Sequence, residues 1–321
     1  MFQTLPLQFG DYYEPFLGSG AFALALASCN QFADRRAYLS DVDPFVIHTW
    51  KVIQDDYLAL LGMLPRGSIE KTQHDQWLSV LNSPEAHTRV EIAAAYIGLR
   101  TYSFGSLVKY SHKQEKWKAS FSRRETGRGA VRRASLWEGH HLLKKNVFIS
   151  GQSYDKIQPK AGDLVFLDPP YYTSDNSVYG DQRPVYPDLI AFCHHLTESG
   201  VHWVMTNTHH DVFREAFGDK SLINLGQKTT WFAMSLKGRQ RPRYDEIMIL
   251  SPACLEAWTQ ANTPLPLPLL ELMESNSLPD SLNISLPRRK PEYLSGSPHL
   301  FLHNFIDESS QNSRDVTLSG V

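Results

Sequence analysis

Apolar positions along the chain fall into two kinds of pattern. Short, nearly unbroken apolar runs occur at N-V-F-I-S (146–150), D-L-V-F-L-D (163–168), V-H-W-V-M-T-N (201–207) and E-I-M-I-L (246–250). Such runs, too short for buried helices, read as strands of a buried sheet. Earlier, A-F-A-L-A-L-A-S (21–28) has the Ala- and Leu-rich pattern of a helix, set between a strand at Tyr12-Tyr13 and a second at Ala37-Tyr38-Leu39-Ser40. Strand, glycine turn, helix, strand is the opening of a parallel α/β sheet. Residues 44–100 are mostly helical in pattern, with a break at L-P-R-G-S (64–68), whereas 104–145 are polar, basic and without clean periodicity. The expectation is a mainly parallel, three-layer α/β sheet domain built from 1–54 and 146–250. It is interrupted by an insertion at 55–145. From 251 to 321 the chain turns Pro-, Ser- and Leu-rich, as in a poorly packed tail or an appended helix plus linker.

Composition adds bounds. Hydrophobic residues at 42% and charged residues at 21% supply an ordinary core, and a net charge of −2 confines any basic surface to a local patch. Cys29, Cys193 and Cys254 fit no metal or disulfide spacing, which favours a reducing compartment. Neither a basic-then-apolar leader nor an uncharged run long enough for a bilayer is visible, so a cytoplasmic location without membrane attachment is expected.

Candidate chemistry gathers where strands end. In F-L-D-P-P-Y-Y-T (166–173) the chain leaves a strand at Asp168, and two prolines bar both helix and central strand beyond it. A carboxylate and aromatic rings are thus presented rigidly at a strand's carboxyl end. Gly18-Ser19-Gly20-Ala21-Phe22-Ala23 fits G-x-G-x-x-G/A between strand and helix, and Asp41 stands 21 positions beyond Gly20, at the end of the next strand. That arrangement suits a nucleoside cofactor, with the acid on ribose hydroxyls. A turn needed only for helix packing is the plainer alternative. Glu14, just before the turn, favours a ligand carrying positive charge over a pyrophosphate.

Y-Y-E-P-F-L-G-S-G-A-F (12–22) followed by D-P-P-Y (168–171) resembles the Dam-like (D12 class) DNA adenine methyltransferases. L-S-D-V-D (39–43), R-T-Y-S-F-G-S-L-V-K-Y (100–110), S-Y-D (153–155) and R-Y-D-E-I-M-I-L (243–250) are further echoes. The resemblance covers about 12–250 and implies a Rossmann-like methyltransferase sheet with a target-recognition insertion. It also implies S-adenosylmethionine as cofactor, no metal, and adenine in double-stranded DNA as substrate. In its terms Asp168, Pro169, Pro170 and Tyr171 are catalytic. The Asp168 carboxylate and Pro169 carbonyl accept hydrogen bonds from the adenine amino group, and Tyr171 stacks on the flipped base. Glu14, Phe16, Gly18, Gly20, Asp41, Ser153, Tyr154 and Asp168 border the cofactor. The family's usual opening, of the form L-K-W-A-G-G-K, whose lysine and aromatic help hold the cofactor's methionine end, has no match ahead of the glycine motif. Three expectations follow: other residues take that role, the N-terminus is truncated, or activity is impaired. A monomer or weak dimer is expected.

Between Phe104 and Arg133, nine Lys or Arg face two acids, a local net of +7, with Phe104, Tyr110, Trp117 and Phe121 interleaved. Phosphates attract the first kind of residue and bases stack on the second, so the segment reads as a DNA-contacting surface. The candidates are Lys109, Lys113, Lys116, Lys118, Arg123 and Arg124, joined by Arg239 and Arg241 from the basic stretch K-G-R-Q-R-P-R (237–243). A solvated, flexible loop is the bland alternative. The histidine pairs at 140–141, 194–195 and 209–210 lack an accompanying carboxylate cluster at ligand spacing, so no metal is expected. Methylation of cytosine or RNA, a non-catalytic DNA-binding relative, and a nicotinamide dehydrogenase motivated by the glycine fingerprint alone are the competing readings.

Overall fold

The computed structural model describes residues 8–122, 131–172, 185–229 and 243–262. In chain order the elements are β1 (Tyr12–Glu14), α1 (Ala21–Ser28), β2 (Ala37–Ser40), α2 (Pro44–Asp55), α3 (Tyr57–Met63), α4 (Lys71–Asn82) and α5 (Arg89–Tyr102). Then come β3 (Ser103–Ser111), β4 (Lys116–Phe121), α6 (Arg133–Leu142), β5 (Val147–Ser150) and β6 (Leu164–Leu167). The remainder is α7 (Tyr186–Glu198), β7 (His202–Thr208), α8 (Asp211–Phe217), β8 (Leu222–Thr229), β9 (Arg243–Leu250) and α9 (Pro252–Asn262).

Seven strands form one sheet in the order β5-β2-β1-β6-β7-β9-β8. Pairing is parallel from β5 through β7, and β9 runs antiparallel to both its neighbours. The order reverses between β1 and β6. In an open α/β sheet that is where a crevice forms beyond the strands' carboxyl ends. Both faces of β6, β7 and β9 are covered, which is why their apolar runs carry almost no polar alternation. Leu164, Phe166, Val204 and Met248 face a core shared with α1, α2 and α9. Val165, Leu167, Trp203, Met205, Ile247 and Ile249 face a second core under α7 and α8.

The helices of 55–145 share the first of these cores. Leu60, Trp77, Leu81, Ile92 and Leu99 pack in one cluster with Tyr12, Leu39 and Phe166. The polar stretch after 102 holds an antiparallel hairpin, β3–β4, which the period did not reveal. Its strands are mostly half-exposed, so they lack a clean apolar face. Asn82 ties the hairpin to α4 by accepting from the Trp117 amide at 2.7 Å and donating to the Trp117 carbonyl at 3.2 Å. β8 was also unanticipated. It closes the far edge of the sheet against β9, with Gly226 at φ 96° beside an irregularity in the pairing. Beyond Ser251 the chain forms α9, whose Cys254, Leu255 and Trp258 join the first core.

Candidate active site

The glycine turn is held from three sides. Gly20 precedes α1 with φ 63°, and a Cβ there would meet Trp50 Cζ2 at 2.7 Å, so packing as well as backbone conformation demands glycine. Gly18, at φ 44°, is exposed, and a Cβ there would meet nothing within 4 Å. The two glycines thus divide the roles that sequence left open, Gly20 packing inward and Gly18 shaping an open turn. Trp50 Nε1 donates to the Gly18 carbonyl at 3.0 Å, and the Gly18 amide donates to Asp41 Oδ2 at 2.9 Å. Asp41 Oδ1 accepts from the Asp43 amide at 2.9 Å. Asp41 is therefore first of all a brace between the turns that end β1 and β2.

Three carboxylates converge on the carboxyl ends of β1, β2 and β6. Glu14 ends β1, is 2% exposed, and accepts the Tyr12 hydroxyl at 2.6 Å. Burial pushes its pKa up to about 8, the nearby charges of Asp168 and Asp41 push the same way, and the Tyr12 and Ala23 donors oppose them. Burial likewise raises Asp41 to about 6, against the pull of the Asp43 and Gly18 amides. Phe16 stacks on Tyr154 with ring centroids 5.5 Å apart, and Tyr154 meets Phe192 edge-on at 5.4 Å. Ser153 stands next to this pair, directly before the short turn Tyr154–Lys156.

Beyond β6, Asp168 is partly buried and accepts the Thr206 hydroxyl on Oδ1 at 2.5 Å. Pro169 is buried, Pro170 partly so. Asn207, fully buried on β7, clamps the segment that follows: Oδ1 accepts the Tyr172 amide at 2.9 Å, and Nδ2 donates to the Tyr186 hydroxyl at 2.9 Å. The Tyr186 hydroxyl in turn donates to the Pro170 carbonyl. Tyr171 is 5% exposed and its hydroxyl donates to Glu246 Oε1 at 2.6 Å, with Tyr244 edge-on at 6.3 Å. Tyr172, unassigned from sequence, packs its ring against Tyr186, His210 and Phe213. Thr206, Asn207, Tyr186 and Glu246 are the supporting residues that sequence reading missed or undervalued. Their one signal was position: Thr206 and Asn207 lie toward the carboxyl end of an apolar strand.

On the hairpin, Lys109 faces Lys118 directly across the strands, Lys116 faces Ser111, and Lys113 lies in the loop between them. Like charges placed opposite one another repel, a cost that a bound anion removes. Arg123, Arg124, Arg239 and Arg241 lie outside the described residues. Histidines serve packing and capping: His140 stacks on Tyr57 and hydrogen-bonds the Ile53 carbonyl at 2.8 Å, while His210 Nδ1 accepts from the Val212 amide at the start of α8. Among the described residues no group of three or more His, Cys, Asp or Glu gathers as metal ligands, and no helix is long and apolar enough to cross a membrane.

Comparison with known proteins gives three findings. The family described as D12 class N6 adenine-specific DNA methyltransferase matches residues 2–231. Type II methyltransferase M1.LlaDCHI of Lactococcus lactis subsp. cremoris is 21% identical over 259 residues, covering 76% of this chain and 87% of that protein. Two structures of the rRNA methyltransferase aviRa from Streptomyces viridochromogenes align at 13% identity with TM-scores of 0.29 and 0.28, over 78% of this chain and 81% of theirs.

Proposed function

The chain belongs to the D12 class N6 adenine-specific DNA methyltransferases, and we propose that Asp168 and the proline turn after it carry the transfer, on an adenine flipped out of double-stranded DNA. Methylation of adenine in DNA and use of S-adenosylmethionine come with the family. When bound, that cofactor would supply the methyl group from an electrophilic sulfonium, whose carbon–sulfur bond breaks to leave the neutral thioether S-adenosylhomocysteine.

The residues present suit such a group. A buried acid at Glu14, flanked by Asp41 and Asp168, is a site in want of positive charge, since each carboxylate makes ionisation of the next harder. Glu14 faces the charged end in this reading, the Phe16–Tyr154 pair offers a wall for a purine, and Asp41 has lone pairs beyond those its two amides occupy. Ser153 and Gly18 line the approach, and Gly20, packed inward against Trp50, sets the turn behind them.

The exocyclic nitrogen of adenine is a poor nucleophile because its lone pair is delocalised into the ring. Asp168 and the Pro169 carbonyl accept its two N–H bonds, draw the nitrogen toward tetrahedral geometry, and stabilise positive charge as it develops. Such acceptors work only when held in place beforehand. The observation that carries the reading is the frame around Asp168: Thr206 fixes one carboxylate oxygen, while Asn207 and Tyr186 hold the backbone from Pro170 to Tyr172. Tyr171, anchored through its hydroxyl to Glu246, is the stacking partner, and its low exposure means that a base reaches it only with local opening. Lys109, Lys113, Lys116 and Lys118, with Arg123, Arg124, Arg239 and Arg241, contact phosphates.

The test is transfer of labelled methyl groups to unmethylated DNA offered double- or single-stranded, followed by digestion to nucleosides. Label on N6-methyladenine from the duplex supports the reading. Label on cytosine, or from single strands only, overturns it.

A further inference from the structure

Two routes of direct contact lead from the basic hairpin to the glycine turn, and both pass through Tyr96 on α5. On the first, Arg100 donates to the Ser106 carbonyl at 3.2 Å, where β3 bends through φ 57°, and its guanidinium lies 5.6 Å from the Tyr96 ring centre. The Tyr96 hydroxyl donates to Asp43 Oδ2 at 3.3 Å. Asp43 caps α2 by accepting from the Phe45 amide at 2.8 Å, and its own amide is one of the two that hold Asp41. The other is that of Gly18. On the second route Trp117 of β4 meets Phe45 edge-on at 5.1 Å, and Phe45 stacks on Tyr96 at 5.9 Å.

The joint borders an open cleft of about 180 Å³ among Gly18, Thr49, Trp50, Tyr96, Arg100 and Arg132. Thr49 Oγ1 is buried at its wall with no hydrogen-bond partner among the described residues. Close-packed interiors transmit strain and resist rearrangement, whereas side chains that border an open cleft have room to shift. Tyr96 is itself buried, and burial raises its pKa, which keeps the hydroxyl a neutral donor.

We infer that Tyr96 is a positioning residue that couples DNA on the hairpin to cofactor at the glycine turn. A shift of the hairpin root reaches Asp43 through Tyr96, and Asp43 shares with Gly18 the carboxylate that sets the turn. The inference rests on the proposed placement of DNA on β3–β4 and of cofactor at Gly18. Coupling of this kind is reciprocal: each ligand tightens the other by the same factor.

The experiment uses S-adenosylhomocysteine, which has no methyl group to transfer, titrated into the full chain with and without an unmethylated duplex bearing the site mapped by methyl transfer. The wild-type chain binds it about fivefold or more tightly with duplex present, the lower range for coupled sites. Tyr96→Phe keeps the ring stack and loses the bond to Asp43. It retains each separate affinity, and its ratio falls to within about twofold of one, below that range. Asp43→Ala, a second break in the same chain, gives the same loss, and the double variant loses no more than either single one. A wild-type ratio of one, or a full ratio in Tyr96→Phe, overturns the inference. Failure of the wild-type chain to bind S-adenosylhomocysteine at all overturns the cofactor placement instead.

Discussion

Thr206 donates its hydroxyl to Asp168 Oδ1 across 2.5 Å, so that β7 fixes the carboxylate that β6 presents. Thr206→Val keeps the shape of the side chain and removes this bond. A hydrogen bond to a charged group contributes about 1.5–3 kcal/mol, which corresponds to roughly 10–100-fold in rate if it acts only on the transition state. Single-turnover methyl transfer therefore slows by that factor while S-adenosylhomocysteine affinity is unchanged. Equal losses of rate and affinity would assign Thr206 a merely structural role.

The Asn207–Tyr186–Pro170 clamp has a separate signature, because it is buried. Tyr186→Phe leaves Asn207 Nδ2 without its tyrosine partner and frees the Pro170 carbonyl. An unsatisfied buried group costs about 1–3 kcal/mol, so the denaturant midpoint falls along with the rate. Thr206→Val spares more of the stability than Tyr186→Phe, and urea titration of both variants checks the order.

Acidity gives a third expectation. In the folded chain without ligand, Glu14 sits at about 8 and Asp41 at about 6, both above their ordinary values. Acids raised in this way support the fold while protonated. That support is complete below the ordinary carboxylate range and is withdrawn as pH climbs from there to about 6 for Asp41 and about 8 for Glu14. A cationic ligand prefers the ionised forms, so its affinity moves the other way. S-adenosylmethionine affinity rises by about tenfold or more from pH 6 to 8 through this linkage, and S-adenosylhomocysteine, lacking the sulfonium, rises less. Glu14→Gln flattens the difference between the two ligands. Parallel pH profiles in the native chain would show that Glu14 does not sense the sulfonium.

Facing lysines on the hairpin predict a salt effect. Replacing Lys109 or Lys118 by alanine lowers the slope of log affinity against log salt by about 1, the change expected when one phosphate is no longer neutralised. It also weakens binding to all duplex sequences alike. Filter-binding titrations at several salt concentrations measure both, and a sequence-dependent effect would point to base recognition by these lysines.

The strand-end candidates stood out because they break rules that ordinary strands obey. Asp168 ends an apolar run and is followed by two prolines, and Glu14 ends another beside a glycine turn. The sheet was legible from the same runs, of which those in β6, β7 and β9 are buried on both faces while Phe148 on the edge strand β5 is exposed. The frame around Asp168 was hidden because its partners are common residues brought in by the fold: Thr206 lies 38 positions away, and Glu246 lies 75 from Tyr171. Nothing local marks a threonine as the donor to a particular carboxylate. The β3–β4 hairpin was obscure for a different reason, since lysines and serines on half-exposed strands imitate a polar loop. Asp41 shows a third case. Its place at the end of β2 was readable, whereas its bond to the Gly18 amide required the turn's geometry.

Single-turnover methyl transfer to unmethylated duplex by the wild-type chain and by Asp168→Asn, with S-adenosylhomocysteine affinity measured in parallel, tests the central claim most directly. Asparagine keeps the size of the side chain and loses the charge that, in the proposed mechanism, draws on the adenine amino group. The prediction is a fall in rate of about 100-fold or more, the scale seen when a preorganised charge partner is removed, with cofactor affinity changed far less. A rate close to that of the wild-type chain, or a loss wholly explained by weaker cofactor binding, would contradict the assignment of Asp168.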